Sequence, residues 1–185
     1  SLESVVLTGE HVEMEPLSLD HVGPLCEFGF DDRLWEWTVN RITNESEMRA
    51  YVQSALEDRE KGTALPFATR ILATGNIAGS TRFGNIDLQN RKAEIGWTWV
   101  GPQWQRSFVN TEAKLLMLTH AFETWGCVRV EFKTDELNTK SRNAILLLGS
   151  VEEVALRNHM ITDTGRFRNS VYFSIVDSVW EAVKA

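Results

Sequence analysis

The stretch GPQWQRSFVNTEAKLLMLTHAFETWG, Gly101 to Gly126, joins a strand-like segment to a long amphipathic helix through a glycine–proline turn and a polar loop. A helix start leaves about four backbone N–H groups without partners, at the positive end of the helix dipole, so such a junction binds anions. Asn110 and Thr111 are good capping types, and Glu112 suits a first turn. Val109, Ala113, Leu116, Leu118, Phe122 and Trp125 supply apolar contacts for docking the helix on a sheet. Arg106 offers a direct phosphate partner and Ser107 a hydroxyl donor. Taken alone, the stretch also reads as an ordinary capped helix after a loop, and Phe108 stands where a phosphate cradle would use glycine.

Working outward, Val12 and Met14 alternate with Glu13 and Glu15 in a first strand that ends at Pro16. Ser18 or Asp20 caps a short helix that contains Pro24. RITNESEMRAYVQSALEDREKG predicts a clearer helix: Thr43 or Asn44 caps it, Glu47 falls three residues after Asn44, and Gly62 closes it. Met48, Tyr51, Val52, Ala55 and Leu56 share its apolar face. LPFATRILA, IAGSTRFGNIDL and AEIGWTWV then read as an antiparallel meander, with turns at Thr74-Gly75-Asn76 and Gln89-Asn90-Arg91-Lys92. Past Gly101-Pro102 the rhythm changes. A helix over 110–125 leads to a strand over 127–134, a helix from Asn138 to Leu148, and strands around 151–157 and 170–176. Strands first and βαβα later predict an α+β fold, a mixed sheet flanked by helices, in a single domain over 1–185. There are no repeats, linkers or low-complexity segments.

Bulk composition narrows the function classes. The chain has 185 residues, 43% hydrophobic and 24% charged, as a soluble globular protein does. Its net charge of −7 argues against general nucleic-acid binding and weakly favours a cationic substrate such as an amine. No apolar run reaches the ~18–20 residues of a membrane span. The opening SLESVVLTGEHVEME lacks the basic flank and apolar core of a signal peptide. Ser1 and Leu2 are set aside, because no initiator Met precedes them. Cys26 and Cys127 sit among apolar residues with neither metal nor disulfide spacing, so a cytoplasmic location is expected.

Two further segments carry chemistry. In TDELNTKSRNAILLLGS, Asn138 can cap a helix whose first turn holds Lys140, Ser141 and Arg142, and residues three apart project together. Both Asn138 and Ser141 also read as plain structural residues of a helix start. In AEIGWTW, Glu94 alternates with Gly96 and Thr98, while Ile95, Trp97 and Trp99 face the other way. A carboxylate inside a central strand is costly without partners or a task, and serving as a base near neutral pH is one such task. A salt-bridged or surface-facing Glu94 is the alternative. His159 and Tyr172 are further titratable candidates. His11, His21 and His120 show no mutual ligand spacing, so no metal site is expected.

Together these segments resemble the Gcn5-related N-acetyltransferase (GNAT) superfamily, and more closely its RimJ/RimL-like branch. The resemblance covers nearly the whole chain: HVEMEPLSLDH, AEIGWTWVGPQWQRSFVNTEAKLLML, RVEFKTDELNTKSRNAILLLG and VYFSIVDSVW. The central loop is similar to the family's acetyl-CoA signature, Gln/Arg-x-x-Gly-x-Gly/Ala. Gln105 matches its first position, Phe108 falls on its glycine, and Asn110 takes the last small position. The resemblance implies a GNAT fold, with a mostly antiparallel sheet splayed between its fourth and fifth strands, 93–100 and 127–134. It implies acetyl-CoA in the splay, its pantetheine pairing with backbone near Trp97 to Val100 and its pyrophosphate on the N–H groups of Gln105, Arg106, Ser107, Phe108, Val109, Asn110 and Thr111.

A primary amine would attack the thioester directly, with backbone N–H near Trp99 stabilising the oxyanion. Ser141 would protonate the departing thiolate, Asn138 would contact the cosubstrate, and Glu94 would act as base or hold a relaying water. Glu152 and Glu153 are second-choice bases. The acceptor would be a protein N-terminus, an amino acid or a small amine, bound by segments 28–40, 80–90 and 157–170, which include Trp35 and Trp37. No metal, nucleic acid or membrane is implied; a homodimer is a possible assembly. The chain departs from its relatives at Phe108, at Leu146 and Leu147, and at Val154. If position 108 requires φ > 0, the penalty is about 1–2 kcal/mol, roughly tenfold in affinity. Those departures motivate an alternative reading, a catalytically weak or inactive acyl-CoA-binding or partner-binding protein on the same fold.

Overall fold

The computed structural model describes residues 2–185, so Ser1 lies outside the described residues. Eight strands form one open sheet: β1 (Leu7–Thr8), β2 (Val12–Pro16), β3 (Leu65–Ile71), β4 (Ile77–Asp87), β5 (Lys92–Val100), β6 (Arg129–Asp135), β7 (Val151–Ile161) and β8 (Phe167–Val176). Their spatial order is β1-β2-β3-β4-β5-β6-β8-β7. Every neighbouring pair is antiparallel except β5–β6. That pair is parallel because α3 (Phe108–Thr119) carries the chain back across the sheet between the two strands. The other helices are α1 (Val22–Phe28), α2 (Glu45–Glu60), α4 (Thr139–Leu147) and α5 (Trp180–Lys184). This is the α+β architecture expected from the sequence.

Apolar side chains cover both faces. On one, Val109, Ala113, Met117 and Leu118 of α3 bury against Phe83, Ile95, Phe132 and Phe173 of the sheet. On the other, Leu25 of α1 and Met48, Val52 and Ala55 of α2 enclose Ala68, Ile77 and Trp99. Asn44 caps α2, its Oδ1 accepting from the Glu47 N–H at 2.9 Å, and Glu47 Oε1 accepts in return from the Thr43 N–H at 3.1 Å.

Two local expectations are corrected. The helix begins at Phe108 rather than 110, capped by Ser107, whose Oγ accepts from the Val109 N–H at 3.3 Å, and not by Asn110 or Thr111. The α-helix also stops at Thr119 and continues as a π-helical turn over His120–Thr124 before Gly126 turns the chain at φ 68°.

The second correction concerns β5. Strict alternation would place Trp97 and Trp99 on the Ile95 face. The register to β4 pairs Ser80 with Trp99 but Arg82 with Gly96, so Thr81 of β4 opposes two residues of β5, Thr98 and Trp97, and Trp97 has φ +52°. This bulge reverses the downstream alternation. Trp97 lies over Gly84, where an added Cβ would run into its ring, and Trp99 joins the α1–α2 core. Thr98 turns instead to the α3 side, where Lys114 donates a hydrogen bond to it.

Candidate active site

Pairing between β5 and β6 runs only from Lys92–Arg129 to Ile95–Phe132. Beyond it β5 continues to Val100 and β6 to Asp135, and the two diverge. The bend at the Trp97 bulge thus leaves one backbone edge of β5 without a strand partner from Gly96 onward. Its other edge remains tightly paired with β4, where a Cβ on Gly79 would collide with the Trp99 carbonyl. Because β5 and β6 are parallel, the helices that follow them, α3 and α4, both begin at this open end of the split.

Gln105 ties the two starts together. Its Nε2 donates to the Val100 carbonyl at 3.3 Å, and its Oε1 accepts from Lys140 Nζ at 3.0 Å. Across the split, Asn138 caps α4, its Oδ1 accepting from the Ser141 N–H at 3.1 Å. Ser141 is half-buried, and among the described residues its hydroxyl has no hydrogen-bond partner. On α3, the N–H groups of Phe108 and Asn110 carry no hydrogen bond to the described chain, and Asn110 Oδ1 is buried without one. Free N–H groups at a helix start, with Arg106 and Lys140 beside them, fit the diphosphate of a CoA ester, and the open β5 edge fits an amide-bearing arm. Val109 is instead buried under the sheet, and Thr111 is exposed.

Phe108 obstructs none of this. The residue of this loop with φ in the left-handed region is Arg106, at +61°. Phe108 opens the helix, and its ring lies against His11 with centroids 4.5 Å apart. Relief of strain is therefore not available at position 108. Phe108→Gly is expected to lower stability by about 1 kcal/mol, from lost ring packing and added unfolded-state freedom, measured by thermal denaturation; a stabilised variant would contradict the geometry.

Glu94 lies on the face opposite α3 and is 2% exposed. Its Oε1 accepts from Asn85 Nδ2 at 3.2 Å, and Lys133 Nζ stands 3.9 Å from its Oε2. Burial pushes its pKa above the ordinary carboxylate value, with Lys133 and Asn85 pulling partly back. Trp97 forms a wall here, with Arg82 5.1 Å and Lys133 5.7 Å from its ring centre. Of the three segments expected at the acceptor end, 80–90 reaches this face through Asn85, which touches Glu94, and 28–40 meets 157–170 where Arg168 of β8 donates to the Trp37 carbonyl at 3.5 Å. Trp35, by contrast, is core packing, with Nε1 donating to the Gly29 carbonyl at 2.9 Å and its ring 5.7 Å from that of Trp99. Glu152 and Glu153 sit exposed on edge strand β7, paired with Arg142 and Arg129. Lys133, Arg82 and Arg168 carried no signal in the sequence, since each joins the site only through strand register.

An open sheet split between two parallel strands, with helix starts on either side and a buried carboxylate below, defines a class, and comparison with known proteins agrees. The acetyltransferase (GNAT) domain profile matches residues 11–151, so the chain belongs to the GNAT acetyltransferase family. A Bacillus subtilis (strain 168) protein, YdaF, named as a ribosomal N-acetyltransferase, is 27% identical over 179 residues, spanning 95% of this chain and 96% of its own. The crystal structure of a GCN5-related N-acetyltransferase from Brucella melitensis superimposes with a TM-score of 0.90 at 29% identity, covering 99% of this chain and 83% of that one. A Salmonella typhimurium acetyl transferase, described as modifying the N-terminal serine of ribosomal protein L7/L12, matches with a TM-score of 0.82 over 93% of this chain and 99% of its own. At 17% identity, that likeness speaks for the fold alone. The profile match marks the chain as an N-acetyltransferase, and the likeness to YdaF supports the RimJ/RimL-like branch within the family. The family's donor is acetyl-CoA. Among the described residues no group of three or more His, Cys, Asp or Glu could hold a metal, and no helix is long and apolar enough to cross a membrane.

Proposed function

We propose that this chain, acting as one domain, transfers the acetyl group of acetyl-CoA to a primary amine by direct attack in a ternary complex, with a protein N-terminus as the favoured acceptor. The observation that carries the reading is the juxtaposition at the split: Glu94 buried beside the last paired rung of β5–β6, and the Asn138–Ser141 cap at the open end. Acetyl-CoA would supply the activated acyl group. The free N–H groups of Phe108 and Asn110, with Arg106 and Lys140, would hold its diphosphate, and the β5 edge from Trp97 to Val100 its pantetheine.

Glu94, with its pKa raised by burial, takes the ammonium proton directly or through a water, because only the neutral amine is a nucleophile. A backbone N–H near Trp99 would stabilise the oxyanion, and Ser141, its hydroxyl uncommitted, would protonate the departing thiolate. The ribosomal names of relatives support a protein N-terminus as acceptor, and an amino acid or small amine remains within the same chemistry.

Release of free CoA thiol from acetyl-CoA, followed over a panel of N-terminal peptides and small amines, tests this reading. Ser141→Ala is expected to slow kcat at least tenfold while acetyl-CoA still raises the melting temperature. An unchanged rate removes Ser141 from the mechanism; no melting shift at millimolar acetyl-CoA removes the donor itself.

A further inference from the structure

Beyond Glu94, the acceptor face carries more positive charge than its own carboxylates absorb. Lys133, Arg166 and Arg168 stand there against Glu94 and Asp135. Asp135 is committed to an ion pair with Arg166 and to the Leu137 N–H at 3.0 Å. Glu94 has Lys133 beside it, and Glu131 pairs with Arg129 at 3.0 Å. Arg168 is left over. It is 7% exposed, and among the described residues no carboxylate lies within ion-pair distance, although Asp135 and Glu94 are near enough to favour its charge. Its Nε donates to Ser170 Oγ at 3.2 Å and its Nη1 reaches the Trp37 carbonyl only at 3.5 Å. Its Nη2 has no hydrogen bond among the described residues.

A guanidinium buried this far without a directly paired carboxylate is costly, because burial disfavours its charge by more than Asp135 and Glu94, acting at a distance, restore. Its planar fork is shaped to take two oxygens of a carboxylate at once. The strand register places it on the catalytic face. Arg168, Ser170 and Tyr172 alternate on one side of β8, and Tyr172 is the β6–β8 partner of Lys133, whose Nζ approaches Glu94. His159 closes the group, its Nδ1 2.9 Å from Ser170 Oγ and its ring edge-on to Tyr172. The line from Glu94 through Lys133 to Arg168 thus runs from the place of the reacting nitrogen to an unpaired cation.

With Glu94 as the acceptor-side base of the proposed reaction, we propose that Arg168, with Lys133 beside it, forms an anion subsite, and that the acceptor is an amine carrying a carboxylate a few bonds from its nitrogen. That carboxylate is the α-carboxylate of a free amino acid or the acidic side chain at the start of a peptide. The two sources share their chemistry and differ in the group beyond the first carbonyl.

The test compares kcat/KM for matched acid and amide acceptors on the intact chain. One arm pairs free glutamate and aspartate with their α-amides; the other pairs C-amidated tetrapeptides holding Asp or Glu at position one or two with their Asn or Gln counterparts. The arm in which the acid exceeds its amide, on the order of tenfold or more, identifies the source. Arg168→Gln should bring that ratio close to one, and Arg168→Lys should retain part of it. Equal rates for acid and amide in both arms, or a ratio that survives in Arg168→Gln, overturns the subsite. A loss of fold lowers both rates together and leaves the ratio intact, so it is not mistaken for support. If no amine turns over, the proposed transfer reaction fails instead. The subsite is then read by calorimetry, titrating the N-acetylated acidic peptide, N-acetylglutamate and their amides into CoA-saturated protein. Acid-selective binding lost in Arg168→Gln supports it, and equal binding overturns it.

Discussion

Replacing Glu94 with Gln is expected to lower kcat by at least a hundredfold, with acetyl-CoA binding retained. The side chains are nearly isosteric, and the amide can still accept from Asn85, so the change removes basicity rather than packing. Burial holds the Glu94 pKa above the ordinary carboxylate value, so the acid limb of the kcat profile should lie above the usual carboxylate range and vanish in Glu94→Gln. The stability effect has the opposite sign. A folded-state pKa raised above its unfolded value means the native state holds the extra proton, so stability falls as pH rises through the folded pKa. Charging Glu94 in the folded protein therefore costs stability, and the Gln variant, which never carries that charge, should melt no lower than the parent at neutral pH. A variant that melts well below the parent, or one with an undiminished kcat, would remove Glu94 from the role of base.

Replacing Lys114 with Met is expected to stabilise the protein at pH 7 by about 2–4 kcal/mol and to flatten its pH dependence. Lys114 is 6% exposed beneath β4 and β5, where it donates to Thr98 and, at 3.3 Å, to Thr81 Oγ1. Among the described residues no carboxylate pairs with it, and burial pulls its pKa down to about 7 from 10.5. Between those two values the unfolded chain binds a proton that the folded chain does not. Stability therefore climbs with pH by about 1.4 kcal/mol per unit from near pH 7 upward, and below pH 7 the penalty is present in full. Methionine fills a similar volume without a charge, at the loss of two hydroxyl contacts worth about 1 kcal/mol each. Denaturant unfolding of both proteins from pH 7 to 9 checks this, because other titrating groups cancel in the difference. Parallel curves would show that Lys114 is not buried as a charge.

The same two residues show how much of the site was legible in the sequence. Glu94 stood out because a carboxylate in a central strand needs a reason, and that argument requires only the alternation of AEIGWTW. Lys114 did not, because an isolated Lys in an amphipathic helix ordinarily faces water, and only the rotation of α3 on the sheet turns it inward. The helix cap was misplaced for a related reason. Ser107, Asn110 and Thr111 are all capping types, and the docking of Val109, fully buried, selects among them. The Trp97 bulge was invisible, since a tryptophan with positive φ carries no local mark.

By itself, then, the sequence determined the element order, the α+β class, the strand–loop–helix at Gly101–Gly126, and the candidates Glu94 and Asn138–Ser141 that flank it. These are written in local spacing, and local spacing survives without knowledge of the rest of the chain. Only the tertiary structure decided that β5 kinks at Trp97 and parts from β6, that Phe108 points to His11 and away from the split, and that Lys133 and Arg168 share a face with Glu94. Those facts depend on register between strands distant in the chain, and a one-residue bulge is enough to change which side chains meet.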